Sequence, residues 1–250
     1  MRWRERFEFR VDDRVLVVNR TGSASPAPVV VLVHGIGAGP NYYARLARAL
    51  GSRARVEVVE LPGHATAPRP ASRLTVDDYG ALLALYLQRS GHERVILVGH
   101  SMGAQVASRA AALEPGLIRR LFLLGPVVDP AAPTALGQAL RLTLDTLRET
   151  PAANVGVFSD YLRCGPSWYL ATLTAMLSFD TAAEGERLRE AGVPTVLVRG
   201  SRDPIASLDW CRTIARAAGA PEPLDIAGSA HVVQWTAAHE IAFEILGSAR

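Results

Sequence analysis

V-I-L-V-G-H-S-M-G-A-Q-V-A, residues 95–107, is the stretch that decides the fold. Four apolar residues, Val95 to Val98, stop at Gly99, and a helical pattern of small residues starts just after Ser101. G-H-S-M-G therefore sits where a strand turns sharply into a helix. Gly99 and Gly103 carry no Cβ to clash where the strand exit and the new helix nearly touch. Such a turn strains the serine backbone and holds its hydroxyl out at the carboxyl edge of a sheet. The first amides of the helix, at its positive dipole end, point to the same place. That geometry suits a nucleophile rather than a packing residue. A chance match is the plain alternative in a chain with 21 glycines, and the strand before and helix after are what weigh against it.

Outward from this turn the chain alternates strand and helix. Residues 5–19 alternate around Asp12-Asp13 as a hairpin. V29-V-V-L-V33 runs apolar without alternation, as a strand covered on both faces does, and ends in H34-G-I-G-A-G-P. Residues 41–50 read as a helix with Tyr42, Leu46 and Leu50 on one face. A strand over 56–59 leads into E60-L-P-G-H-A. Thr75 opens a helix with Asp78 placed for a capping box, and Leu121 to Leu124 forms another strand, followed by Asp129. The rhythm breaks at Pro130 and resumes with the strand 194–200, a helix over 208–218, a strand near 223–226 and a terminal helix over 236–246. Residues 1–129 and 189–250 are thus expected to form one α/β core with a mostly parallel, twisted sheet and helices on both faces, and 130–188 an inserted helical lid.

Composition bounds the partners. A chain of 250 residues, 49% hydrophobic and 20% charged, can bury one sizeable core. Its net charge is only +3, carried by scattered arginines with no aromatic-interleaved basic strip, so nucleic-acid binding is not expected. No lysine occurs, which reads as codon bias from a GC-rich, bacterial genome. Cys164 and Cys211 form neither a disulfide framework nor a metal site. The first ten residues have charges but no apolar leader core, and no stretch approaches the ~18 apolar residues of a membrane span. No membrane association and a cytoplasmic location follow as expectations; nothing bears on oligomeric state.

Acyl transfer needs a hydroxyl, a base, a carboxylate that orients the base, and donors for the oxyanion. Ser101 supplies the hydroxyl. His231, in the loop before the last helix, is the candidate base. Asp203, in R-G-S-R-D-P just after a strand, is the candidate acid, with Asp129 as a rival that also follows a strand. Backbone amides of Met102 and Ile36 are the candidate oxyanion donors. Among the other histidines, His34 and His100 read as braces for the glycine loops, with His34 also a candidate substrate contact. His64 either braces its turn or faces the pocket, and His92 and His239 read as surface or helix-terminal residues.

These motifs resemble those of the α/β-hydrolase fold superfamily, in its usual order and over almost the whole chain. The resemblance implies a serine hydrolase with a Ser-His-Asp triad, an inserted lid, and no metal or organic cofactor. H-V-V-Q-W from His231 and H-G-I-G-A-G-P from His34 are similar to those of carbon–carbon bond hydrolases of aromatic ring-fission products. Those carry Trp directly after the histidine where this chain has Val232, and their lid arginine is matched only by Arg163. The usual P-G-H-G-x-S is P-G-H-A-T-A here. Within the expected lid, Phe158, Tyr161, Trp168 and Tyr169 are candidate pocket walls, joined by His64 and Val232 from the core. Few charges lie there, so the expected partner is a small apolar or aromatic ester-like substrate. Two other readings stand beside a carboxylic ester hydrolase: the same triad acting on a thioester, lactone, amide or carbon–carbon bond, and a non-hydrolytic binding or cyclisation protein on the same fold.

Overall fold

A computed structural model of the chain describes residues 3–23, 27–129 and 163–247. Strands β1 (Glu5–Val11) and β2 (Arg14–Gly22) form the antiparallel hairpin, turning at Asp12 with φ 53°. β3 (Val29–Val33) leads through a 3₁₀ turn at Pro40–Tyr43 into α1 (Ala44–Leu50). Pro40 in that turn fixes φ and lacks an N–H, which favours a short tight start over a full α-helical turn. β4 (Arg55–Glu60) and α2 (Val76–Arg89) follow, and Thr75 and Asp78 close the expected capping box.

β5 (Val95–His100) turns into α3 (Met102–Leu113), and β6 (Ile118–Leu124) starts three residues before the predicted strand. Arg119 and Arg120 interrupt its apolar run, yet the backbone around them still pairs with β5. Beyond the undescribed stretch come α4 (Pro166–Ser178), α5 (Thr181–Glu190), β7 (Thr195–Gly200) and α6 (Leu208–Ala218). β8 (Leu224–Ile226), α7 (Val233–Thr236) and α8 (Ala238–Gly247) complete the described fold.

The sheet order is β1-β2-β4-β3-β5-β6-β7-β8, antiparallel from β1 to β4 and parallel from there on. Alternate residues of each central strand feed two separate cores. Val95 and Leu97 of β5 pack towards α2, α3 and α6, and Ile96 and Val98 towards α1 and α8. Both faces are covered, which is why these strands read as continuous apolar runs.

Two expectations are refined. The single terminal helix is broken at Ala237, which separates α7 from α8. Residues 181–188, expected in the lid, lie in α5, which packs on α3 and α6 and buries Leu188. Phe158 and Tyr161 lie outside the described residues.

Candidate active site

Parallel pairing brings the loops after β3, β4, β5, β6, β7 and β8 to one edge. Backbone strain collects there. Four non-glycine residues among the described ones have positive φ. Three of them, Ala65, Ser101 and Val128, lie in the loops leaving β4, β5 and β6. Such conformations cost on the order of 1–3 kcal/mol each and persist where the surroundings over-determine them.

Ser101 has φ 57° and ψ −125°, and its amide donates to Leu124 O at 2.9 Å. A Cβ at Gly99 would stand 2.2 Å from Gly103 O, and one at Gly103 would stand 2.2 Å from Val33 O. The turn is therefore closed to any larger residue at either place. The loop after β3 lies directly against the serine: a Cβ at Gly35 would be 3.0 Å from Ser101 Cβ and 3.4 Å from its Oγ. The amides of Ile36 and Met102, which flank this contact, have no hydrogen-bond partner among the described residues.

His231 Nδ1 lies 2.8 Å from Asp203 Oδ2. The other carboxylate oxygen accepts from the amides of Ile205 (2.7 Å) and Ala206 (3.0 Å). Burial would raise the pKa of Asp203, but His231 and these two amides outweigh it and hold the group below the ordinary carboxylate range. An ionised carboxylate only accepts, so the Nδ1–H of His231 donates to it, and Nε2 of the neutral ring is left with its lone pair. Gly125, after β6, sits against the same pair: a Cβ there would stand 2.9 Å from His231 Cε1 and 3.3 Å from Asp203 Oδ2. Gly125 follows Leu124, the partner of the Ser101 amide, so serine, histidine and Asp203 converge on one stretch of backbone. Asp129, the rival acid, is also buried, but it is Asp203 that meets His231 Nδ1.

The acid loop has a brace that sequence reasoning missed. Arg199 is 6% exposed. Its guanidinium donates to Ala206 O (2.9 Å), Asp225 Oδ1 (2.7 Å) and Asp203 O (3.4 Å), gripping the turn that carries Asp203. The available signal was a charge closing an otherwise apolar strand, T-V-L-V-R-G.

His34 was a candidate substrate contact, but both of its nitrogens are taken. Nδ1–H donates to Gly35 O at 2.8 Å and Nε2 accepts the Leu61 amide at 3.0 Å, so His34 braces the loops. His64 donates through Nδ1 to Pro62 O, and its buried Nε2 has no partner among the described residues. Val232 packs in the core beside α1 and α8. Tyr169 packs onto the α2–α3 core, and the Trp168 indole lies over Gly63, where a Cβ would come within 2.1 Å of Nε1. The base of α4 is thus seated on the loop after β4, where Arg69 also donates to Cys164 O at 2.6 Å. His239 is exposed, as expected. His92 lies just past the C-terminus of α2, as one of its two expected readings had it, but its ring turns inward, 3.2 Å from both carboxylate oxygens of buried Glu57.

No cysteine competes as nucleophile among the described residues. Burial pushes the Cys164 thiol up to about 11 and the Cys211 thiol up to about 12, far from the thiolate form at neutral pH. Among these residues no group of three or more His, Cys, Asp or Glu side chains could hold a metal ion. Nor is any helix among them long and apolar enough to cross a membrane.

A family model described as alpha/beta hydrolase fold matches residues 28–160. Among curated proteins, the chain is 34% identical over 137 residues to the lipase LipV of Mycobacterium tuberculosis, covering 54% of this chain and 49% of that one. It therefore spans about half the length of that relative. It is 28% identical over 215 residues to a pimeloyl-[acyl-carrier protein] methyl ester esterase of Chromobacterium violaceum, covering 75% of this chain and 81% of the esterase. Among solved structures, a thermophilic esterase from Thermogutta terrifontis superposes with a TM-score of 0.81 at 19% identity, covering 98% of each chain, a likeness of fold.

Proposed function

Since the chain belongs to the α/β-hydrolase fold family, we propose that it is a serine hydrolase of the esterase or lipase type, acting on a small, largely apolar carboxylic ester. The observation that carries this reading is the 2.8 Å His231–Asp203 pair at the sheet edge where Ser101 occupies a strained strand-to-helix turn. Ser101 Oγ attacks the ester carbonyl carbon while His231 Nε2 takes its proton. The imidazolium, stabilised by Asp203, then gives that proton to the departing alkoxide, leaving an acyl-serine. Water repeats the sequence, releasing the acid and restoring the serine. The amides of Ile36 and Met102 receive the negative charge on the carbonyl oxygen, a donation worth about 3 kcal/mol of barrier for each lost donor.

In this reading the roof is the lid insertion without α5, which belongs to the core. Its first described helix, α4, stands on the loop after β4 and turns Trp168 towards Gly63. The stretch 158–179, in which only Asp160 and Arg163 are charged, favours an uncharged acyl or alcohol portion. The protein is proposed to work without a metal or organic cofactor and without a nucleic-acid or membrane partner.

The test is active-site labelling. A fluorophosphonate is expected to add one phosphonyl group per chain, located by peptide mass spectrometry on Ser101, while short p-nitrophenyl esters are turned over. A label on another residue, or no label with an intact fold, overturns the reading.

A further inference from the structure

One buried side chain beside the nucleophile has no part in the reaction above, yet it grips the base. His100 is fully buried between Gly99 and Ser101. Its Nε2 lies 2.9 Å from the backbone oxygen of His231 and its Nδ1 lies 3.0 Å from the Tyr42 hydroxyl. A carbonyl can only accept, so Nε2 carries the proton. Nδ1 is then the acceptor for the Tyr42 O–H. One neutral tautomer satisfies both contacts with Tyr42 as donor, and a second proton would reverse the one to Tyr42. Burial, with His231 beside it, holds the pKa of His100 down at about 3, which keeps the ring neutral at working pH. The two imidazoles also touch, with centroids 4.6 Å apart and planes tilted by 58°.

The covalent neighbour of Ser101 is therefore clamped to the main chain of His231, whereas Asp203 holds that residue by its ring. We propose that His100 and Tyr42 are positioning residues for the base. His100 fixes the backbone of His231 relative to Ser101, and Tyr42 fixes the His100 tautomer that can do so. Neither touches substrate. The inference rests on the reading of Ser101 and His231 as nucleophile and base, and extends it to how their separation is set.

Steady-state hydrolysis of p-nitrophenyl butyrate tests it. His100→Leu removes the donor and is expected to lower kcat about 10²-fold, the scale of a small misplacement of a reacting group, with KM nearly unchanged. His100→Gln, whose amide N–H can reach the same carbonyl, is expected to recover most of that loss. Tyr42→Phe frees the tautomer and should lower kcat about tenfold. In a His231→Ala background, where no base remains to be placed, His100→Leu should cost almost nothing further in residual turnover.

Wild-type kcat in His100→Leu overturns the inference. So does a loss of equal size in the His231→Ala background, or a His100→Gln variant no better than His100→Leu. If His100→Leu does not fold, Tyr42→Phe decides, and wild-type kcat there overturns the inference. A His231→Ala protein with full activity would instead remove the hydrolase reading itself. An inactive His231→Ala beside a fully active His100→Leu removes the positioning role alone.

Discussion

Asp203→Asn is expected to lower kcat for ester hydrolysis by about 10⁴-fold while leaving the fold in place. The reason lies in which end of the new amide faces the imidazole. Oδ1 of Asp203 accepts two backbone amides, from Ile205 and Ala206. An asparagine must keep its oxygen there, since turning its NH₂ towards two N–H donors would bury three donors against one another. Its NH₂ then occupies the place of Oδ2, 2.8 Å from His231 Nδ1. An N–H donor at that position requires Nδ1 to accept, which moves the ring proton to Nε2. The nitrogen meant to take the serine proton then already carries one. The same change removes the carboxylate charge that stabilises the imidazolium. Fluorophosphonate labelling should slow in parallel, because it needs the same proton transfer. Asp129→Asn should leave turnover within about tenfold of wild type. A larger loss in Asp129→Asn than in Asp203→Asn would transfer the acid role to residue 129.

Acid should destabilise the protein well above the range where carboxylates titrate. His34, His64 and His100 are all fully buried, and burial lowers the pKa of each. For His64, with His34 beside it, and for His100, the value falls to about 3. In the unfolded chain the same rings take up protons below the ordinary histidine value of about 6.5. Between those limits the unfolded state binds protons that the folded state refuses, so stability falls as pH is lowered through the window. Each such ring contributes a slope of about 1.4 kcal/mol per pH unit, and the pair His64 and His100 about 3 kcal/mol. Against a total stability of about 5–15 kcal/mol, one pH unit is a large fraction. Asp203 and Glu57, whose pKa values are lowered in the fold, push the same way only at more acid pH. Urea midpoints are therefore expected to drop steeply from pH 6.5 to 5. His64→Asn, which keeps a donor for Pro62 O, should flatten the slope by about 1.4 kcal/mol per pH unit. An unchanged slope in that variant would mean that His64 is not held neutral.

Much of this was readable without coordinates because it is local. The strand 29–33, the capping box at Thr75–Asp78, the helix 208–218 and the turn at Ser101 each depend on residues within one turn or one strand, and all are present in the structure. The Asp203–His231 contact was anticipated from order along the chain, because parallel strands bring every βα loop to one edge. Order could not separate Asp203 from Asp129, since both follow strands; only the ring nitrogen of His231 makes the choice. Contacts between distant elements left no local trace. Glu57 is a carboxylate in the middle of a buried strand, and its partners Arg20, Tyr86 and His92 come from three other segments. His92 looked solvated because nothing near it in sequence shows that carboxylate. Similarly, α5 carries the polar run E-G-E-R-L-R-E, and only its docking on α3 and α6 shows that it covers the sheet.

The order of the loops has a consequence for synthesis. The residues proposed as nucleophile, acid and base leave β5, β7 and β8 in turn, so a ribosome exposes the serine long before it exposes the imidazole. Under the proposed mechanism, a chain without the loop after β8 has no imidazole to take the proton of Ser101. Reactivity is then switched on only when the loop after β8 docks beside Ser101.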